Sequence, residues 1–270
     1  EKFAARTDCR LVGVVDADLG LANVDVLLGL APRATIQHVL AGEKTLEEIV
    51  VQGPAGMRIL PASSGVQELV ELTEAQRLQV ITGLGALEQD IDFLLIDTGA
   101  GISTNVMSFN VAAQDIVVVV TPEPTSITDA YALMKVLATQ HAETSFHVLV
   151  NMATHAAEAR DAFQRLQVVA ERFLHISLYY VGFILHDVSI SQAVRHQKAL
   201  MEIYPGSAAA QCFQRLAQQL LTTPVLTPMK GNVRFFWQRL FERAARPATP
   251  EPDDSNAADH LCISSSIFMP

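Results

Sequence analysis

The stretch Val14-Val15-Asp16-Ala17-Asp18-Leu19-Gly20-Leu21-Ala22-Asn23-Val24-Asp25-Val26-Leu27-Leu28-Gly29 decides the fold. An apolar run over residues 11–15 stops at two carboxylates, and a glycine then opens a loop. Valine-rich runs without polar alternation are what strands buried on both faces require, because a layer of helices covers each side of the sheet. In an extended segment residues i and i+2 point the same way, so Asp16 and Asp18 can face one cation or one water. The competing reading is a strand-end turn, where aspartate is favoured because its carboxylate bonds nearby backbone amides.

Four further runs of the same kind, at 93–96, 116–120, 148–150 and 179–184, alternate with helical patterns at 35–49, 69–87, 126–140, 156–173 and 207–221. The alternation predicts an α/β domain: a doubly wound, mostly parallel sheet with helices on both faces, whose ligands bind beyond the carboxyl ends of the strands. Asp97 ends the second run and Asn151 the fourth, so the topology directs both towards the edge that carries Asp16.

Each end-of-strand residue has a chemical and a structural reading. In Leu94-Leu95-Ile96-Asp97-Thr98-Gly99-Ala100-Gly101-Ile102, Asp97 is placed to hold Mg²⁺ through a water, and Gly99 and Gly101 let the backbone approach a phosphate and then move. An apolar run ending in aspartate is nonetheless common in any α/β fold. Asn151 offers one donor and one acceptor to a base edge, or else caps the next helix. Thr121-Pro122-Glu123-Pro124-Thr125-Ser126 is a rigid turn with Ser126 as the expected helix N-cap. Gly42-Glu43-Lys44-Thr45 is not a phosphate loop, because Glu43 separates the glycine from the lysine and no strand leads into it.

Composition narrows the function. A chain of 270 residues with 50% hydrophobic residues buries a sizeable core, and its formal charge of -10 opposes general electrostatic binding of nucleic acid. Cys9, Cys212 and Cys262 are far apart and lack zinc-ligand spacing, which suits a reducing cytoplasm. Neither a signal peptide nor a run of about 18 apolar residues is found. Near the C-terminus Val233, Phe236, Trp237, Leu240 and Phe241 recur at helical spacing, with Lys230, Arg234, Arg239 and Arg243 nearby. Such an amphipathic helix either lies in a membrane interface or packs on the domain or a partner. The expected organisation is a domain over 1–226, this helix over 229–245 and a disordered Pro/Ala/Asp/Ser-rich tail over 246–270.

Taken together, the segments at 14–29, 94–102, 121–126 and 193–206, the last being Ala193-Val194-Arg195-His196-Gln197-Lys198-Ala199-Leu200-Met201-Glu202-Ile203-Tyr204-Pro205-Gly206, resemble the flagellar-number regulators FlhG and FleN of the MinD/ParA group of P-loop ATPases. The resemblance implies ATP and Mg²⁺ as cofactors. It casts Asp18 as the residue that orients the attacking water, Asp16 and Asp97 as metal neighbours, and Asn151 and Asp187 as contacts of the base. Around Asp187 the sequence departs from the family pattern: Leu185 replaces a proline and Val188 an acid. The resemblance further implies an ATP-dependent homodimer, slow hydrolysis and repression of flagellar genes. Its partners would be a flagellar transcription activator or flagellar switch and placement proteins, met in the cytoplasm with peripheral association at the membrane surface. The family's glycine-rich loop and the strand before it are not found in the chain, which begins at Glu1. These 270 residues alone are therefore expected not to hydrolyse ATP. Two alternatives remain: a nucleotide-free pseudo-ATPase that acts as a binding module, and a MinD-type division-site regulator at the membrane.

Overall fold

The computed structural model describes residues 12–17, 24–60, 91–222, 239–240 and 261–267. Asp18, the predicted helix over 69–87, and Val233, Phe236, Trp237 and Phe241 lie outside the described residues.

Among the described residues eight strands form one sheet: β1 (Val12–Asp16), β2 (Val51–Gln52), β3 (Arg58–Leu60), β4 (Phe93–Thr98), β5 (Asp115–Val120), β6 (Ser145–Ala153), β7 (Ser177–Leu185) and β8 (Leu261–Ile267). Their order is β2-β3-β1-β4-β8-β5-β6-β7. Among the described residues only β2 and β3 pair antiparallel, so the mostly parallel sheet expected from the apolar runs is present. The helices are α1 (Val24–Leu27), α2 (Ile36–Leu40), α3 (Leu46–Ile49), α4 (Thr104–Ala112), α5 (Pro124–His141), α6 (Ala156–Leu174), α7 (Val188–Arg195), α8 (Leu200–Ile203) and α9 (Ala208–Thr222).

Strand β5 explains the two-sided covering. All six of its residues are buried. Ile116, Val118 and Val120 pack against Leu133 and Met134 of α5 and Leu166 of α6, whereas Val117 and Val119 pack against Ala209 and Cys212 of α9. Successive side chains of a strand alternate faces, so an unbroken valine run needs an apolar layer on each side. A further cluster joins Val15, Leu94 and Ile96 to Ile36, Val39, Leu46 and Ile49 of α2 and α3.

Three expectations are corrected. The helix over 35–49 is two helices, because Gly42, at φ +75°, breaks it. Thr45 then caps α3: its N–H donates to Glu48 Oε2 at 2.8 Å and its hydroxyl accepts from Glu48 N at 3.4 Å. Lys44 pairs with Glu48 at 2.9 Å, so the Gly42 to Thr45 segment is a helix cap and not a phosphate loop. Ser126 lies inside α5 rather than at its N-cap, which is Glu123. From there the Ser126 hydroxyl reaches back to accept from Thr121 N at 2.9 Å and fixes the proline turn.

The third correction concerns the tail. Residues 261–267 are a strand, hydrogen-bonded between β4 and β5, and not part of a disordered segment. Without it the facing edges of two central strands would carry unpaired backbone groups, which is why an extended segment is captured there. A central strand is thus present in the sheet, supplied from the C-terminal side of the chain. Of the two readings of the C-terminal helix, Leu240 follows the second: it is only 2% exposed and packs in the cluster with Val15, Ile96 and Phe109. Arg239 Nη2 beside it donates to Ala112 O at 2.6 Å. For this position packing on the domain body holds, because a side chain seated in the core cannot also enter a membrane interface.

Candidate functional site

The site begins with two neighbouring strand ends. Strands β1 and β4 are parallel, with Asp16 and Asp97 side by side in register. Ala17 N donates to Asp97 O at 2.7 Å, which carries the pairing one residue past the end of β1. Asp16 is 2% exposed, and its Oδ2 accepts from Val24 N at 3.1 Å. The carboxylate therefore anchors the first turn of α1 while standing next to Asp97, which is half-buried. Beyond Thr98 the backbone turns through Gly99 to Gly101, whose φ of +102° is a conformation that side chains other than glycine rarely adopt. Both glycines lie where a ligand at the Asp16–Asp97 edge would meet backbone.

Asn151 and Asp187 lie at the same edge but farther along it. Strands β8 and β5 separate β6 from β4, so at ordinary strand spacing Asn151 is roughly 14 Å from Asp97. Asn151 Oδ1 accepts from Met152 N at 2.9 Å, and Met152 sits at φ +58°. Asn151 does not cap the next helix, because His155 does: its ring nitrogen Nδ1 accepts from Glu158 N at 3.1 Å. Among the described residues Asn151 Nδ2 has no protein acceptor, which leaves the amide able to donate to a base.

Asp187 is a structural tie. Its Oδ1 accepts from Ser189 N at 2.9 Å, capping α7, and its Oδ2 accepts from Ala209 N at 3.0 Å in the first turn of α9. The Ala209 hydrogen bond foremost, then those from Ser189, hold its carboxyl below the ordinary carboxylate range. The expectation that Asp187 reads a base competes with these bonds, which occupy both oxygens. A folded-state pKa below the unfolded one stabilises the fold above about pH 4, and the effect fades as pH falls through the folded value. Asp187→Ala is thus expected to cost about 1–2 kcal/mol at neutral pH, the worth of a helix cap. Urea titrations of both proteins between pH 7 and pH 2 check this, and the gap between the two stabilities should narrow as the pH falls.

The carboxylates fit magnesium better than they fit a dehydrated metal. Among the described residues no group of three or more His, Cys, Asp or Glu side chains could hold a metal ion. Magnesium keeps several of its waters and needs only one or two carboxylates, which Asp16 and Asp97 supply. For phosphate the fit is poorer, since a cradle needs consecutive backbone amides and a lysine, and the Gly-x-x-x-x-Gly-Lys-Ser/Thr pattern is not found in the 270 residues.

One contact of the site had no sequence signal. Gln197 Nε2 donates to Val26 O at 2.9 Å across 171 residues of chain. Neither periodicity nor motif spacing marks such a pair.

Known proteins resemble the chain in sequence and in fold. The antiactivator FleN of Pseudomonas aeruginosa is 44% identical over 236 residues, covering 87% of this chain and 84% of that protein. The flagellum site-determining protein YlxH of Helicobacter pylori is 33% identical over 235 residues, covering 86% and 79%. Among solved structures, the septum site-determining protein MinD of Pyrococcus horikoshii, complexed with Mg-ADP, superposes with a TM-score of 0.60 at 24% identity, over 81% of this chain and 86% of that one. At that identity the likeness speaks for the fold. No family model matches the chain.

Proposed function

The chain belongs to the FlhG/FleN family of flagellar-number regulators within the MinD/ParA group, and from that premise we propose that it couples Mg·ATP binding and self-association to the restraint of a flagellar transcription activator. The observation that carries the nucleotide part is the pairing of Asp16 and Asp97 at adjacent strand ends, with Asp16 also holding the start of α1. Magnesium bound there would offset phosphate charge. Asp97 would orient it through water, and Asp16 would sense it, because any ligand that draws on the Asp16 carboxylate competes with the Val24 N–H for the same oxygen. Gly99 and Gly101 would let the following segment close on the ligand, and Asn151 would face the base. Asp18 is assigned the water-orienting role by family likeness.

That one relative is an antiactivator and the other a flagellum site-determining protein supports a regulatory rather than a metabolic role. Among the described residues no helix is long and apolar enough to cross a membrane. A binding module without nucleotide is the second reading, favoured by the two hydrogen bonds that occupy both oxygens of Asp187.

Thermal unfolding with and without Mg·ATP separates the two. Under the first reading millimolar Mg·ATP raises Tm and Asp97→Ala abolishes the rise. No rise in the parent chain leaves the binding module. In a phosphate-release assay we expect these 270 residues to stay at background. Magnesium-dependent turnover that is lost in Asp18→Ala would overturn that expectation.

A further inference from the structure

Thr121 follows the last residue of β5 at the carboxyl edge of the sheet, and its backbone and side chain stand in opposite conditions. The N–H donates to Ser126 Oγ at 2.9 Å, which fixes the residue at the start of the proline turn. The residue is only 2% exposed, and its buried hydroxyl Oγ1 has no hydrogen-bond partner among the described residues. A buried hydroxyl without a partner costs free energy that a valine of the same shape would avoid. His147 Nδ1 and the Tyr180 hydroxyl are likewise buried without partners, but they lie in the bodies of β6 and β7, away from the edge that carries the candidate site.

The neighbour of Thr121 across the sheet is Asn151. Strands β5 and β6 pair in parallel as far as Val120 and Val150, so the next residues leave the ladder side by side, about 5 Å apart at ordinary strand spacing. Val120 and Val150 both pack with Leu133 of α5 and Leu166 of α6, and the alternation of a strand turns the residues after them to the opposite face. Beyond Val150 the backbone departs from a plain strand. The register between β6 and β7 shifts before Ala153, and Met152 takes φ +58°, which a residue other than glycine adopts at a cost. Such a shift re-aims a side chain. The one it re-aims is Asn151, whose Oδ1 accepts from Met152 N and whose Nδ2 has no acceptor among the described residues.

We propose that the Thr121 hydroxyl is a second base-reading group, which hydrogen-bonds the substituent at position 6 of a purine while Asn151 Nδ2 donates to a ring nitrogen of the same base. The assignment rests on the nucleotide reading above and adds to it the residue that selects the class of base. Adenine presents a ring-nitrogen acceptor beside an amino donor on one edge. Asn151 supplies the donor for the first, and the hydroxyl supplies the acceptor for the second. A hydroxyl proton rotates to suit its partner, so Thr121 accepts from an amino group or donates to a carbonyl. Adenine and guanine both satisfy it, whereas a purine with hydrogen at position 6 leaves it unpaired.

The test is isothermal titration of the full chain, Thr121→Val and Thr121→Ser with two magnesium nucleotides, ATP and purine riboside triphosphate, which lacks the amino group. The parent should bind ATP about three- to tenfold more tightly than the analogue, the worth of one neutral hydrogen bond. Thr121→Val should bind both nucleotides alike, at the parent's affinity for the analogue. Its Tm without nucleotide should equal or exceed the parent's, because the substitution removes a buried hydroxyl that has no partner. Thr121→Ser keeps the hydroxyl and should keep the preference for ATP. A Thr121→Val chain that retains the parent's preference overturns the assignment alone, and so does a parent that binds the two nucleotides equally. A variant whose Tm falls and whose affinities fall together overturns it as well, since that pattern belongs to a residue that only holds the turn. A parent that binds neither nucleotide overturns the nucleotide reading and this assignment with it.

Discussion

Removing residues 261–270 is expected to turn the chain into an aggregating protein. Strand β8 pairs with β4 from Phe93 to Thr98 on one side and with β5 from Asp115 to Val119 on the other. Its loss strips on the order of ten ladder hydrogen bonds, each worth about 1 kcal/mol net, from a fold whose whole stability is about 5–15 kcal/mol. The two bared edges face each other across an empty strand position, the arrangement most prone to pairing with another chain. Light scattering during expression and refolding of the shortened chain, beside the full chain, checks this. Ser265→Pro is the milder companion. Ser265 stands opposite both Asp97 and Val117, and a proline there removes a donor from the middle of a central strand. It should cost about 3 kcal/mol or more in urea unfolding. A shortened chain that stays monomeric with the parent's urea midpoint would show that β8 does not hold the sheet together.

The same strand marks where sequence reading ends. Strand β5 was legible because six consecutive buried residues leave no other solution, and Asp16 and Asp97 were legible as the polar ends of such runs. That the two ends are in register was not, since pairing between strands some eighty residues apart is set by the whole sheet. The run Leu261-Cys262-Ile263-Ser264-Ser265-Ser266-Ile267 looks unremarkable by composition. Only the gap between β4 and β5, a tertiary feature, gives it a place. Helix α4 escaped for a different reason: Val106, Met107, Phe109, Asn110, Val111 and Ala112 are all buried, so it has no polar face and no helical period to read. Strands β2 and β3 are too short to show a period of two. The site was half legible in the same sense. Chemistry-bearing residue types at strand ends announced themselves, whereas the double tie of Asp187 and the seam between Gln197 and Val26 depend on which helix termini and loops the fold brings together.

Leu240→Ala is expected to lower stability by about 2–5 kcal/mol, the range for a fully buried leucine, because the deletion leaves a cavity among Val15, Ile96, Phe109 and Ala112. Burial of this side chain joins the C-terminal segment to the strand that carries Asp16 and to the helix that follows Asp97, through Phe109 and Ala112 of α4. The hydrogen bond from Arg239 to Ala112 O reinforces the same junction, so Arg239→Ala should act in the same direction with a smaller loss, about 1–3 kcal/mol for a charged donor to a carbonyl. A membrane-inserted leucine would behave otherwise. Its truncation would leave the urea midpoint alone and weaken flotation with anionic liposomes, since each buried methylene contributes about 0.8 kcal/mol to membrane binding. Measuring both quantities on Leu240→Ala therefore decides between the two environments for this position. A large fall in unfolding free energy with unchanged liposome binding is the outcome the packing requires, and the reverse would mean that the segment leaves the domain in the working protein.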